Sequence, residues 1–147
     1  MKEKIEVLKA DTEALQAKAF EIRQEVFVVE QKVSPEDEFD QFEKVASHFV
    51  ALDQGLPVGA ARWRTTSNGI KLERFAVKKA YRGTGIGSKL VQAVQNDILQ
   101  NVEGDKYLYL HAQLTAIPLY EKFGFIKTGP QFEECNIQHF KMERILH

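Results

Sequence analysis

Apolar and polar residues alternate over residues 4–9, which predicts a short strand, and either Asp11 or Thr12 can then cap a helix. Leu15, Ala19, Ile22 and Val26 recur at helical spacing and define one buried stripe. Residues 34–43 are acidic and broken by Pro35. Beyond them, residues 46–52, 58–65 and 70–77 read as three consecutive strands. Asp53-Gln54-Gly55 makes the first turn between them, and Asn68-Gly69 is a strong hairpin signal for the second. Three strands joined by such turns form a meander.

Helical spacing returns at Ile86, Leu90, Val94 and Ile98, with Val91 beside them, in an amphipathic stretch that runs to Gln100. Residues 107–112 are the next strand. Residues 116–122 read as a short helix ending at Gly124, and residues 125–128 and 137–145 as closing strands. The predicted order is β, α, three β, α, β, α, two β, with no internal repeat and no low-complexity linker.

The 147 residues, 44% of them hydrophobic, are enough for one compact domain spanning 1–147 around a single core. A formal charge of −1 argues against a nucleic-acid partner recruited by global charge, and no block of Lys or Arg appears. The single cysteine, Cys135, excludes an internal disulfide and fits a reducing compartment. The amino-terminal MKEKIEVLKADTEAL has no apolar core of signal-peptide type, and no run approaches the roughly 18 residues of a membrane span. These features predict a cytoplasmic protein with no membrane partner.

The densest chemical signal lies between the third strand of the meander and the long helix. Leu72-Glu73-Arg74-Phe75-Ala76-Val77 is followed after four residues by Arg82-Gly83-Thr84-Gly85-Ile86-Gly87, so a strand feeds a helix through a glycine turn. Glycines let the backbone approach a ligand without Cβ clashes, and the N–H groups that open a helix have no partner of their own. An anion can take those bonds. The helix dipole adds about 0.3–1 kcal/mol per charge, and Arg82, Lys78, Lys79 and Lys89 add a basic rim. A Walker A lysine would follow the second glycine directly, whereas Ser88 separates Gly87 from Lys89. A dinucleotide fingerprint fails as well: Leu90 stands three after Gly87, the turn lies in mid-chain, and Glu103 falls in a loop.

This layout, with Arg82-Gly83-Thr84-Gly85-Ile86-Gly87 and then Leu119-Tyr120-Glu121-Lys122-Phe123-Gly124-Phe125, resembles the GNAT superfamily of N-acetyltransferases. Arg82, Gly85 and Gly87 satisfy its acyl-CoA motif, and Tyr120, Gly124 and Phe125 its second signature. Within the superfamily, Arg23-Gln24-Glu25-Val26-Phe27-Val28-Val29-Glu30-Gln31, the acidic stretch after it and Asn136-Ile137-Gln138-His139 look like the ElaA/YjcF-type branch. One departure is Gln113, three before Ala116, where many members carry Asn; its amide chemistry is the same and its reach differs. The resemblance implies an α/β (α+β) fold, a mixed central sheet of six to seven strands flanked by helices.

It also implies acetyl-CoA as co-substrate and an amine acceptor, with no metal. The pyrophosphate would sit on the backbone of Gly83, Thr84, Gly85, Ile86 and Gly87, framed by Arg82, and the pantetheine arm beside Phe75, Ala76 and Val77. Gln113 would touch the cofactor or the strand splay. The four histidines and Cys135 show no metal-ligand spacing, and a ping-pong route through Cys135 has no support beyond the thiol itself.

The implied reaction is attack of a neutral amine on the thioester with release of a thiolate. Holding a lysine-like amine of pKa about 10.4 neutral at pH 7 costs about 4–5 kcal/mol, against about 1 kcal/mol for an α-amine, so the acceptor decides how much a base is needed. Tyr120 is the candidate general acid, its alternative being a tyrosine packed beside Phe123 and Phe125. Glu73 is the leading base, placed by strict alternation on one face with Lys71, Phe75 and Val77, and equally a salt-bridged carboxylate. His111, sharing a face with Tyr107 and Tyr109, competes with it, although a lone strand histidine is more often structural. The acidic run from Glu30 to Glu43 would attract a cationic amine or simply be a solvated loop, and His139 is more readily structural. A second class of function stands beside the enzyme: a GNAT-fold protein that holds acyl-CoA as a sensor or assembly element.

Overall fold

A computed structural model describes residues 4–147; the first three residues of the amino-terminal stretch lie outside the described residues. The framework is one seven-stranded sheet in the order β1-β2-β3-β4-β5-β7-β6. Strands β1 (Ile5–Lys9), β2 (Ser47–Asp53), β3 (Leu56–Thr66) and β4 (Gly69–Val77) are antiparallel neighbours, as are β5 (Lys106–Gln113), β7 (Ile137–Leu146) and β6 (Ile126–Glu134). The halves meet at the parallel pair β4 and β5, which are in register only at Ile70–Leu108 and Lys71–Tyr109. Beyond Lys71 the two strands diverge. The mixed seven-stranded sheet with flanking helices agrees with the sequence expectation.

The first hairpin of the meander forms as its sequence predicts, whereas the second turns at Ser67-Asn68, one residue ahead of the expected Asn68-Gly69 pair. Gln54 and Gly55 take φ of 50° and 86°, the mirror-image turn whose twist suits a tight hairpin. Thr66 pairs with Gly69 across the second turn, and Thr66 Oγ1 accepts from the Asn68 N–H at 3.2 Å.

One face of the sheet carries α3 (Ile86–Asn101) and α4 (Ile117–Glu121). Ile86, Leu90, Val91, Val94 and Ile98 are all buried there, each contributing about 1.5–3 kcal/mol of burial. Gly59 on β3 admits the helix: a Cβ at that position would stand 3.1 Å from both Ile86 Cγ2 and Leu90 Cδ1. The other face carries α1 (Glu13–Arg23), started by Thr12, whose hydroxyl accepts from the Leu15 N–H. Ala19, Ile22 and Val26 are buried under it, as their spacing predicts.

Three local features depart from the expected pattern. The first helix continues from Gln24 to Glu30 as π-helix, with the Gln31 N–H bonded to Val26 O at 3.0 Å. Strand β6 runs to Glu134, well past Thr128, with a register shift between Thr128 and Phe132 that accommodates Gly129 and Pro130. In β4 a bulge lies opposite the step from Ala60 to Arg62, and Arg74 takes φ of 60°. The bulge reverses the alternation, so Glu73 does not share a face with Phe75 and Val77: those two join Leu72 on the α3 side, while Glu73 turns with Arg62 and Arg64 to the α1 side.

Candidate active site

The divergence of β4 from β5 opens a cavity of about 370 Å³ between residues 71–75 on one strand and 110–113 on the other. The tip of the π-helix, α2 (Pro35–Glu38) and the β6–β7 turn form its rim. Tyr120, Glu73, His111, Phe75 and Gln113, separated by up to 47 positions in sequence, all line it.

Tyr120 enters from α4 and is only 6% exposed. Its ring stands edge-on to Phe75 and Phe125, with centroids 5.8 and 6.1 Å away. Burial pushes the phenol far above its ordinary value, so it stays protonated, and its hydroxyl has no hydrogen-bond partner among the described residues. The Gly124-Phe125 pair explains the placement. Gly124 at φ 87° ends the helix, the Phe125 N–H returns to Tyr120 O at 3.2 Å, and the Phe125 ring wedges beneath the tyrosine.

Glu73 is the hub of an ion-pair network. Burial acts to raise its carboxyl, but Arg62, Arg64, Lys71 and Arg74 together hold it below the usual carboxylate range. Arg62, fully buried, donates to Glu73 at 2.6 Å, to Asp40 at 2.7 and 2.9 Å and to Glu43 at 2.8 Å. Arg23, also buried, spans Glu38 at 2.8 Å and Glu43 at 2.7 and 2.8 Å, and its guanidinium carbon lies 5.3 and 4.9 Å from the centroids of the Phe20 and Phe39 rings. Arg74 completes the network, reaching Asp40 at 3.1 Å and Glu38 at 3.2 Å. Most of the acidic run is therefore neither a solvated loop nor a bare anionic funnel. Glu38, Asp40 and Glu43 are neutralised from below by arginines on α1, β3 and β4.

The consequence for Glu73 is chemical. A carboxylate held by four cations, with its basicity lowered, is poorly suited to take a proton from an amine. His111 is differently placed: its Nδ1 lies 3.2 Å from Glu134 Oε2, and its ring stands edge-on to Phe132 with centroids 5.0 Å apart. It does share a face with Tyr109 and Tyr107: its ring centroid lies 6.3 Å from that of Tyr109, which in turn stacks on Tyr107 at 5.9 Å along β5.

The glycine turn lies beyond the carboxyl end of β4, separated from it by a 3-10 turn (Lys79–Tyr81). Gly83 and Gly85 take φ of 81° and 90°, and a Cβ on either would meet nothing within 4 Å. Gly85 is the N-cap of α3 and brings no side chain to its opening N–H groups, which fits an anion cradle. Gly87 serves a different purpose: a Cβ there would stand 3.1 Å from Leu119 Cδ2, so its absence lets α4 pack on α3. Ile86 is buried in the core, and Thr84 Oγ1 donates to Tyr81 O, so both serve the turn internally. Ala76 likewise packs on the α1 face, leaving only its backbone to the open edge.

Two contacts carry no sequence signal. Arg82 is paired end-on with Glu30, at 2.6 and 2.7 Å, while its Nε donates to Val77 O at 3.0 Å. Gln113 exchanges amide hydrogen bonds with Gln31 at 2.9 and 3.2 Å. The tip of the π-helix thus fastens to both lips of the splayed strands. The thiol of Cys135, in the β6–β7 turn, is raised by burial and by nearby carboxylates, which disfavours a thiolate. His139 is buried, its Nδ1 2.7 Å from Ile137 O. No cluster of three metal-ligating side chains occurs among the described residues, and no described helix is long and apolar enough to cross a membrane.

A sheet that parts between β4 and β5, with a glycine-capped helix at the opening and a buried tyrosine at its wall, defines an acyltransferase, and the chain belongs to the GNAT acetyltransferase family, whose domain model matches residues 9–146. Within that family it falls in the branch of YjcF and ElaA. It is 38% identical over 125 residues to the uncharacterized N-acetyltransferase YjcF of Bacillus subtilis, covering 84% of this chain and 88% of that protein. ElaA of Escherichia coli is 29% identical over 128 residues, covering 84% and 83%. The ElaA crystal structure superposes with a TM-score of 0.82 over 97% of this chain and 99% of that one. A GNAT family acetyltransferase from Elizabethkingia anophelis, solved with acetyl-CoA bound, shares the fold at a TM-score of 0.71 and 17% identity, over 99% and 100% of the two chains.

Proposed function

We propose that the protein transfers an acetyl group from acetyl-CoA to a primary amine of a small molecule or peptide by direct attack. The observation that carries this reading is the convergence of Tyr120 and His111 in the cavity between the diverging strands. The glycine-capped start of α3 lies at the same end of the sheet.

In this reading the backbone of Gly83 to Gly87 holds the pyrophosphate, and the pantetheine arm lies along Phe75, Ala76 and Val77, where β4 has β3 on one side and no strand on the other. When bound, the thioester supplies an acyl carbon activated toward nitrogen nucleophiles. His111 Nε2 removes the proton that keeps the acceptor amine cationic and passes it to solvent. Tyr120, kept protonated by burial, donates from Oη to the departing sulfur as the carbon–sulfur bond breaks, and recovers a proton from the acylated nitrogen. Glu73 keeps its charge throughout and fixes Arg62 and Arg64 beneath the acceptor end.

Acyl-CoA holding without transfer is the competing function, favoured by the ion pairs that lower the basicity of Glu73, the base candidate nearest the glycine turn in sequence. Binding is tested by the thermal midpoint with acetyl-CoA, free CoA, ATP and NAD at matched concentrations. A ligand at 100 times its dissociation constant stabilises by about 2.7 kcal/mol, a shift of several degrees for a domain of this size. A shift with the CoA compounds alone supports the cradle, and none with either counts against both functions.

A further inference from the structure

We infer that Glu134, at the tip of the β6–β7 hairpin, is a positioning residue that sets the tautomer and orientation of the His111 base. The inference rests on the transferase reading above.

The geometry fixes the direction of the hydrogen bond. His111 Nδ1 and Glu134 Oε2 are 3.2 Å apart. The His111 hydrogen bond holds the Glu134 carboxyl below its ordinary value, so it is ionised at neutral pH, and an ionised carboxylate only accepts. The donor is therefore Nδ1–H. A neutral imidazole protonated at Nδ1 carries its lone pair on Nε2, the nitrogen left to work as a base, and Nε2 has no partner among the described residues.

The ring is held from a second direction. Phe132, two residues before Glu134 on β6, stands edge-on to His111, and Phe132 is stacked on His139 with centroids 5.7 Å apart. His139 is itself fixed through Nδ1 to Ile137 O and pairs across the ladder with Gln113, two residues from His111. Cys135 and Asn136, at φ of 52° and 63°, make the tight turn that follows Glu134 and pairs it with Ile137. The hairpin thus delivers both the carboxylate and the aromatic wall to one histidine.

The charged and titratable groups that face the pair are few. Lys71 on β4 and His139 on β7 both act on Glu134 electrostatically, and Cys135 follows it in the turn. Lys141, opposite His111 on β7, lies over the Tyr109 ring at 5.4 Å. None of them replaces the carboxylate as acceptor for Nδ1–H.

Two readouts test the assignment. In the unliganded protein, nitrogen NMR of the His111 ring reports the tautomer without reference to catalysis: protonation at Nδ1 in the wild type and a changed pattern in Glu134→Ala are expected. A ring protonated at Nε2, or unchanged in Glu134→Ala, overturns the assignment. The second readout is thiol release from acetyl-CoA with the best acceptor among glycinamide, tyramine, spermidine and lysine methyl ester. Glu134→Ala and Glu134→Gln are expected to lower kcat about 10- to 100-fold, leave the KM for acetyl-CoA unchanged, and move the acid limb of the pH–rate profile. Because Glu134 is half exposed, the thermal midpoint stays within a degree or two of wild type. Unchanged kcat in both variants overturns the positioning role while leaving the transferase reading intact. If the wild type releases no thiol with any amine, it is the transferase reading that fails, and the tautomer measurement still decides the geometry.

Discussion

Replacing Arg62 with Met tests whether the charge network beneath the cavity is a structural unit. Arg62 is fully buried and serves Asp40, Glu43 and Glu73 at 2.6–2.9 Å. Removing one member of a buried ion pair costs about 3–5 kcal/mol, because the partner is left with an uncompensated charge. Here each orphan keeps another cation: Arg23 for Glu43, Arg74 for Asp40, and Arg64 and Lys71 for Glu73. The expected loss is therefore at the low end, about 3 kcal/mol at pH 7, read from urea unfolding. The pH dependence gives a second signature. Asp40 and Glu43 are held at about 2 in the fold, from ordinary values of 3.8 and 4.5, with burial opposing the shift and Arg62 and Arg23 driving it. Depressed carboxylates contribute stability that is full above about pH 5 and drains away as pH falls toward 2. Glu38 works the other way, since burial raises its carboxyl despite Arg74 and Arg23, and it offsets part of that slope. In Arg62→Met the carboxylates protonate more readily, so the variant's deficit is smaller at pH 3.5 than at pH 7. A deficit below about 1 kcal/mol, or one that grows on acidification, would refute the network as a stabilising unit.

Other perturbations separate the parts of the site. Tyr120→Phe leaves the cavity wall intact and is expected to keep the acetyl-CoA dissociation constant while lowering kcat about 10- to 100-fold, measured by calorimetry and thiol release. Gly85→Ala places a Cβ at φ 90°, where the space is open but the backbone is unfavourable, so a stability loss of about 1–2 kcal/mol and weaker acetyl-CoA binding are expected from unfolding and titration. Glu30→Gln frees Arg82 from a half-exposed pair worth at most about 1 kcal/mol, and acetyl-CoA is expected to bind several-fold tighter; weaker binding would show that the pair organises the turn instead.

Local rules written in adjacent residues carried the sequence expectation furthest. The hairpin at Gln54-Gly55, the Thr12 cap and the α3 stripe all follow from residues within a turn or two of each other, and Asn68-Gly69 marked the second hairpin to within one residue. What was hidden depended on distant partners. Strict alternation put Glu73 with Phe75 and Val77, and a single bulged residue, Arg74, separated them. The acidic run looked solvent-facing because the arginines that neutralise it come from α1, β3 and β4. Glu134 gave no signal, since nothing local ties an exposed glutamate before a turn to a histidine 23 positions earlier. Arg82 was legible as a motif residue, but its pairing with Glu30 requires the π-helical turn, for which the residues gave no cue.

Acetyl transfer to an amine at the parting of β4 and β5 is decided by following free thiol from acetyl-CoA with and without a panel of primary amines, comparing the wild type with Tyr120→Phe. Thiol release is expected to depend on the amine, exceed the hydrolysis background and fall at least tenfold in the variant. Release at the background rate with every amine, in a protein whose thermal midpoint still rises with acetyl-CoA, would contradict acetyl transfer and leave acyl-CoA holding as the function.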